Sequence, residues 1–342
     1  MNLKWGVLGY GSISKIFINS FTDVENSSVY AVASNSKELQ TSDLADKKIK
    51  IYLDYEKLLK NEDINIVYIA NTNNFHKDTV IKAIKYNKHI LVEKPAFLNI
   101  DDFNECAQLL KNKSLFFMEA IMYLHHPQTS KIAEIILNGE IGNIVSIKSS
   151  IGFNINKTFL GFIRKKADKN SRLLNRNLGG GAINDIGCYP VSAARFLSNL
   201  ISSKDLQIDS ISASAFFDAS SVDVFSNAKI RFNNNIQSEF EVAIKKNLKS
   251  ILEIKGEKGV LSLFNPWTPH KNFKINIKKN LLYNKTYDFN CDKDLYAYQI
   301  NDVVQNINKG NKETAGYGMK IMDTKICTTI LEEWKKSISY YK

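Results

Sequence analysis

Arginine is scarce in this chain. Of its 46 basic residues 41 are lysine, and arginine stands only at positions 164, 172, 176, 195 and 231. A net charge of +11 would otherwise suggest a nucleic-acid partner. Groove readers, however, rely on the planar guanidinium fork, and no arginine cluster falls on an expected helix. The densest basic stretch, Lys245 to Lys285, sets ten lysines against Glu253 and Glu257. Those lysines alternate with apolar residues, the pattern of solvated strand faces, so what remains is a general pull on anionic substrates. Cysteine is equally sparse. Cys106, Cys188, Cys291 and Cys327 are scattered without a CxxC pair or a metal-ligand spacing, and read as reduced, buried thiols. No metal is expected. No run of about 18 apolar residues occurs, which excludes an ordinary transmembrane helix. The opening "MNLKWGVLGYG" has no signal-peptide core and runs straight into a strand, so a cytoplasmic location is expected. Repeats and Pro/Ser-rich linkers are absent too.

What is present suffices for two domains: 342 residues, 44% of them hydrophobic. The first third alternates short apolar runs ("KWGVLGYG", "VYAVASNS", "INIVYIANT", "HILVEKP") with stretches of helical spacing such as "FHKDTVIKAIKYN" and "IDDFNECAQLLKNK". Strands separated by helices mean βαβ units and a parallel sheet. From about Gly142 the spacing becomes twofold, in "NIVSIKSSIGFNI", "QIDSISASAFF", "SILEIKGEKGVLSLF" and "NFKINIKK". That pattern predicts an antiparallel or mixed sheet with one more polar face. Helices are expected mainly before it (129–137, 182–197) and after it (297–307, 320–338). The expected division is therefore 1–120 and 121–342, with a compact hinge at the boundary.

Gly9-Tyr10-Gly11-Ser12-Ile13-Ser14 follows a strand and opens a helix. That is the context of a dinucleotide fingerprint, in which glycines allow a tight turn and a close approach of backbone N–H groups to a pyrophosphate. Ser14 takes the place of the third glycine and weakens the match. The second strand closes on Ser34, Asn35, Ser36 and Lys37, with no acid before Glu38. NAD enzymes usually place an acid there for the ribose 2′-OH, so hydroxyl, amide and ammonium groups favour NADP(H) over NAD(H). A charged Glu93-Lys94-Pro95 ends the run "HILV". A lysine there lies at the carboxyl end of a strand, where open α/β sheets bind ligands, and its ammonium can stabilise a developing alkoxide. Asp185 and Tyr189 are four apart, hence on one helical face. Pro190 has no N–H and predicts a kink or restart near Gly187.

Together, "GVLGYGSIS", "NTNNFHKDTVIKAIKYNKHILVEKP" and "LGGGAINDIGCYPVSAARFL" resemble the glucose–fructose oxidoreductase/inositol dehydrogenase superfamily, Gfo/Idh/MocA, across essentially the whole chain. Within it, "MEAIMYLHHPQ" is similar to the branch of dihydrodiol dehydrogenase and NADP-dependent xylose dehydrogenase. The resemblance implies an N-terminal Rossmann domain and a C-terminal α+β domain with a large, open-faced, mostly antiparallel sheet. That sheet often makes dimers or tetramers. The implied activity is hydride transfer between NAD(P) and a secondary alcohol or ketone of a sugar, cyclitol or diol.

Matched residue by residue, the implied catalytic set is Lys94, Asp185 and Tyr189. Lys94 would lie beside the nicotinamide and substrate hydroxyl, with the Lys94–Pro95 bond often cis in relatives. Many members carry histidine at position 189, and the dihydrodiol branch tyrosine. A phenol titrates near about 10 and needs a nearby cation to share its proton at neutral pH. Lys94 would supply the cation, with Tyr189 as proton donor in reduction and Asp185 orienting the substrate hydroxyl or Lys94. Cofactor contacts would come from Gly9, Gly11, Ser12, Ile13, Ser34, Asn35, Lys37, Asn71, Asn73, His76, Glu93 and Lys94. Asn71 and Thr72 replace Thr-Pro in the TPN-x-x-H segment. Substrate contacts would come from Lys94, Tyr123, Arg172, Asp185 and Tyr189, with Gly179-Gly180-Gly181 letting backbone approach the ligand. Leu124 stands where the branch often has arginine, so an anchoring charge is missing and the branch's substrate does not transfer. Two other readings accompany this one: a keto sugar-nucleotide reductase, and a non-catalytic NAD(P)-binding sensor.

Overall fold

The computed structural model describes residues 2–34, 48–159, 163–165, 171–279 and 283–340. Asn35 and Lys37, expected to contact cofactor, lie outside them.

Six parallel strands form the first sheet: β1 (Leu3–Leu8), β2 (Ser27–Ala33), β3 (Lys50–Tyr52), β4 (Ile66–Ile69), β5 (His89–Val92) and β6 (Phe117–Glu119). Their order is β3-β2-β1-β4-β5-β6, so the winding reverses at β1. Helices α1 (Ser12–Asn19), α2 (Tyr55–Leu59), α3 (His76–Lys85) and α4 (Ile100–Lys111) connect them. β4 is buried at every residue, as a parallel strand covered on both faces must be. Trp5, Phe17 and Phe21 pack edge to face, and Phe17 stacks on Tyr68. A second cluster gathers Leu8, Val67, Ile69, Val80, Ile90, Val92, Phe103 and Phe117. Burying each such side chain contributes about 1.5–3 kcal/mol.

The second part opens with α5 (Pro127–Leu137) and β7 (Ile144–Asn154), then a small antiparallel pair, β8 (Lys157–Phe159) and β9 (Ile163–Lys165). Two helices follow, α6 (Ala182–Ile186) and α7 (Cys188–Ile201). Next come β10 (Ile208–Phe217), β11 (Asp223–Phe232), β12 (Gln237–Ala243), β13 (Lys245–Gly256), β14 (Val260–Phe264), β15 (Asn272–Lys278) and β16 (Asn284–Asn290). The chain ends with α8 (Leu295–Asn308), α9 (Ile321–Lys336) and β17 (Ile338–Tyr340). The nine-stranded sheet runs β16-β15-β14-β13-β7-β12-β11-β10-β17, antiparallel except for the β7/β12 and β10/β17 pairs. Its inner face is covered, with Trp267 and Trp334 fully buried and the Trp334 indole donating to Ser226 Oγ at 3.0 Å.

Two compact units result: residues 1–126 with 292–324, and residues 127–291 with 325–342. This differs from the single boundary expected at residue 120. The chain re-enters the first unit through α8, where Asp294 N–H donates to Asp23 and His125 pairs with Asp302 at 3.3 Å. Short β3, α2 and β17, and the polar β16, carry no clear periodicity and escape the sequence reading.

Candidate active site

β1 delivers the glycine loop to the point where strand order reverses. Gly9 sits at φ +102°, and a Cβ there would stand 2.6 Å from the Ala70 carbonyl oxygen. Its N–H donates to Ala33 at 2.9 Å, while Ala70 N–H donates back to Leu8 at 2.8 Å. Gly11 is different: its φ is −98°, and a Cβ would meet nothing within 4 Å. Gly11 is thus not demanded by the chain's own packing, and the free space lies where a pyrophosphate would approach. Ser12 and Ile13 form the first turn of α1, which has no side-chain cap. Its first N–H groups remain available to an anion. Ser14 is fully buried and its hydroxyl donates to the Gly9 carbonyl at 2.9 Å. The substitution that weakened the motif therefore ties the loop together.

At the end of β2, buried Ser34 donates its N–H to Tyr52 at 3.2 Å. After β4, Asn71 donates Nδ2 to Thr79 Oγ1 at 2.9 Å, and its Oδ1 is buried without a partner. Asn73 is buried at the start of a short 3-10 turn. His76 is fully buried, with Nδ1 2.9 Å from the Pro95 carbonyl and Nε2 3.2 Å from that of Asn71. Both ring nitrogens thus face backbone, and His76 acts as a clamp between two loops. A glycine cradle, an uncapped helix start and an orphaned amide oxygen fit a dinucleotide.

β5 ends at Val92 and the chain turns through Glu93-Lys94-Pro95, with a cis Lys94–Pro95 bond. Glu93 accepts from the Tyr68 hydroxyl and from Lys94 N–H at 3.2 Å. Ala96 N–H donates to Glu119 Oε1 at 3.1 Å. Lys94 and Glu93 are both partly exposed. Glu119 is buried, and burial pushes its carboxyl up to about 7. Tyr123 and Leu124 are also buried, 3% exposed each.

In the second unit Asp185 is the fourth residue of α6 and Tyr189 the second of α7. Gly187 joins the helices with φ −65° and ψ −23°, so the two side chains remain one turn apart across the expected break. Arg172, expected to meet substrate, donates Nη2 to Asp185 at 3.0 Å. The guanidinium is half exposed and the carboxylate buried. Tyr189 is buried and stacks on Trp267 with ring centroids 6.0 Å apart. Gly180 lies against the carbonyls of Arg172, Leu173 and Asn175, and Gly181 (φ +108°) against Asp223 Oδ1. Gly180 thus serves close packing on backbone, and Gly181 close packing on the Asp223 carboxyl. Asp223 accepts Ile183 N–H at 2.7 Å, and burial pushes its carboxyl up to about 7.

Glu119 and Asp223 were absent from the sequence reading. The signal for Glu119 was available, since it ends a buried strand just as Glu93 and Lys94 follow one. Nothing in the sequence marks Asp223 as buried. Among the described residues no group of three or more His, Cys, Asp or Glu could hold a metal.

A parallel sheet reversing at a glycine loop, with a lysine turn at its carboxyl edge, defines a dinucleotide-binding oxidoreductase. Residues 3–121 match the model described as the oxidoreductase family with NAD-binding Rossmann fold, and residues 129–262 match the GFO/IDH/MocA C-terminal domain. The chain belongs to the Gfo/Idh/MocA family and is an NAD(P)-dependent oxidoreductase acting on CH–OH groups. It is 25% identical over 344 residues to trans-1,2-dihydrobenzene-1,2-diol dehydrogenase of Mus musculus, covering 99% of this chain and 97% of the relative. The Homo sapiens protein of that name is 25% identical, with the same shares covered. Among solved structures, KijD10, a 3-ketoreductase from Actinomadura kijaniata in complex with NADP and TDP-benzene, superposes over 100% of both chains at TM-score 0.86 and 20% identity. Aldose-aldose oxidoreductase from Caulobacter crescentus gives TM-score 0.84 at 20% identity, over 98% of this chain and 97% of the other. These two likenesses concern the fold.

Proposed function

We propose that this enzyme transfers hydride between NADP(H) and a secondary alcohol or ketone of a carbohydrate-like substrate. The observation that carries the reading is the retained pair of motifs: Lys94 on a turn fixed at the carboxyl end of β5, and Asp185 with Tyr189 one helical turn apart. The nicotinamide supplies or accepts the hydride. Lys94 holds positive charge where an alkoxide develops, and Tyr189 moves the proton. Asp185 is held by Arg172, so the two act together, Arg172 orienting the carboxylate that in turn orients a hydroxyl. Ser34 and the Asn35, Ser36 and Lys37 that follow it in sequence support NADP(H) over NAD(H), because no acid precedes Glu38 to hold a 2′-hydroxyl. The similarity to trans-1,2-dihydrobenzene-1,2-diol dehydrogenases supports a vicinal diol as one substrate class. The open face of the nine-stranded sheet supports assembly with a second copy.

The test is a spectrophotometric screen with NADPH and NADH, and with the oxidised forms, against aldoses, ketoses, cyclitols, diols and keto sugar nucleotides. Turnover with a free sugar or diol and a lower KM for NADPH are expected. Lys94→Met abolishes that turnover while NADPH binding stays within a few-fold. Tyr189→Phe lowers kcat by roughly 10²-fold, the scale of general acid–base catalysis. Wild-type rates in Lys94→Met would refute the assignment. Turnover confined to sugar nucleotides would replace the substrate class.

A further inference from the structure

The turn that carries Lys94 is fastened at successive residues. Lys94 N–H goes to Glu93 Oε2, the Pro95 carbonyl faces His76 Nδ1, and Ala96 N–H goes to Glu119 Oε1 at 3.1 Å. Glu119 is 3% exposed, and its second oxygen is buried with no hydrogen-bond partner. Ionising an acid in such a place costs several kcal/mol. A glutamine would accept the same Ala96 bond without that cost. The charge around the carboxyl comes from Glu93 and Lys94 on the turn after β5, and from α9 the Thr324 hydroxyl lies beside it.

We propose that Glu119 is a positioning residue for Lys94: it anchors the Lys94–Pro95–Ala96 turn through the Ala96 amide, and its ionised form holds the Lys94 side chain as ammonium. This rests on the reading of Lys94 as the catalytic cation. Burial pushes Glu119 up to about 7; the Ala96 N–H, the Thr324 hydroxyl and Lys94 work against that, and Glu93 adds to it. Below that value Glu119 is neutral and only anchors. Above it, the carboxylate stabilises the neighbouring cation, so Lys94 keeps its proton further into the alkaline range.

Glu119→Gln retains the acceptor and removes the charge, whereas Glu119→Ala removes both. A substrate-free measurement is the pH dependence of Lys94 acetylation by acetic anhydride, resolved by mass spectrometry on the full chain. In Glu119→Gln the Lys94 midpoint should fall by a few tenths of a pH unit, with exposed lysines such as Lys60 unmoved and NADPH affinity within about threefold of wild type. With a substrate in hand, the alkaline limb of the kcat profile should move down by the same amount. Glu119→Ala should lose a further tenfold or so in kcat that Glu119→Gln keeps. An unmoved Lys94 midpoint in Glu119→Gln overturns the proposal, whatever happens to Glu119→Ala. If the midpoint moves but Lys94→Met turns over normally, the charge coupling stands and the catalytic reading of Lys94 falls.

Discussion

Gly9 and Gly11 stand two residues apart in one loop and answer to different demands. Gly9 adopts φ +102°, and a Cβ there would run into the Ala70 carbonyl. Gly9→Ala should therefore destabilise the folded protein by on the order of 3 kcal/mol, from backbone strain and overpacking together. Gly11 has ordinary dihedrals and open space around it. Gly11→Ala should leave unfolding within about 0.5 kcal/mol of wild type. On the proposed cofactor site the same methyl would stand where the pyrophosphate approaches, so NADPH affinity should drop about tenfold or more. Urea denaturation and fluorescence titration of each variant check the pair; equal stability losses would show that both glycines serve packing alone. The spacing of the two glycines was legible in the sequence, but their separate reasons were not. Ser14 shows why: its hydroxyl bond to Gly9 depends on a loop geometry that no motif encodes. His76 shows it again, because the carbonyls it bridges come from segments 19 and 5 residues away.

At the scale of elements, the break between α6 and α7 was readable from Gly187 and Pro190, since a residue without an N–H must restart a helix. Long twofold alternation likewise revealed β7, β10 and β15. Its outer face was read only as more polar, and the structure gives this content. Lys148, Glu239 and Lys229 form a charged ladder across β7, β12 and β11. Beyond that ladder Phe216 is 55% and Phe264 68% exposed. Large aromatic groups left in water on a sheet face suit a matching surface, and a symmetric pair built on this face would cover both rings. Light scattering should give a mass twice the 38.8 kDa of the chain. The double variant Phe216→Lys, Phe264→Lys should give the single mass with an unchanged circular dichroism spectrum. A monomeric wild type at micromolar concentration would refute the assembly.

For the molecule as a whole, buried acids set an unusual dependence of stability on pH. Glu119 and Asp223 are both pushed by burial to about 7 from ordinary values of 4.5 and 3.8. The folded state therefore binds more protons than the unfolded chain between those limits, and stability falls as pH rises through that window. Each group accounts for at most about 3–4 kcal/mol by pH 8. His126 acts in the opposite sense: burial lowers it to about 4, so the folded state holds it neutral and gains stability as pH rises from 4 to 6.5. His89 is lowered by burial as well and acts in the same sense, but above 6.5 neither imidazole remains to offset the two acids. The unfolding temperature should accordingly be highest near pH 5 to 6 and decline towards pH 8. This runs against what a chain with a calculated pI near 9.2 and a net charge of +11 would show from self-repulsion alone, which relaxes as pH rises. Such a reversal is invisible in composition, because it depends on which two of 35 acidic residues the fold removes from water. Calorimetry at pH 4, 5.5 and 8 on wild type and on Glu119→Gln with Asp223→Asn decides it. The double variant should be close to wild type at pH 4 and gain on it steadily towards pH 8, since the amides keep the acceptor bonds to Ala96 and Ile183 and carry no charge to bury. A wild type that gains stability steadily to pH 8 would mean that neither carboxyl is held neutral in the folded protein.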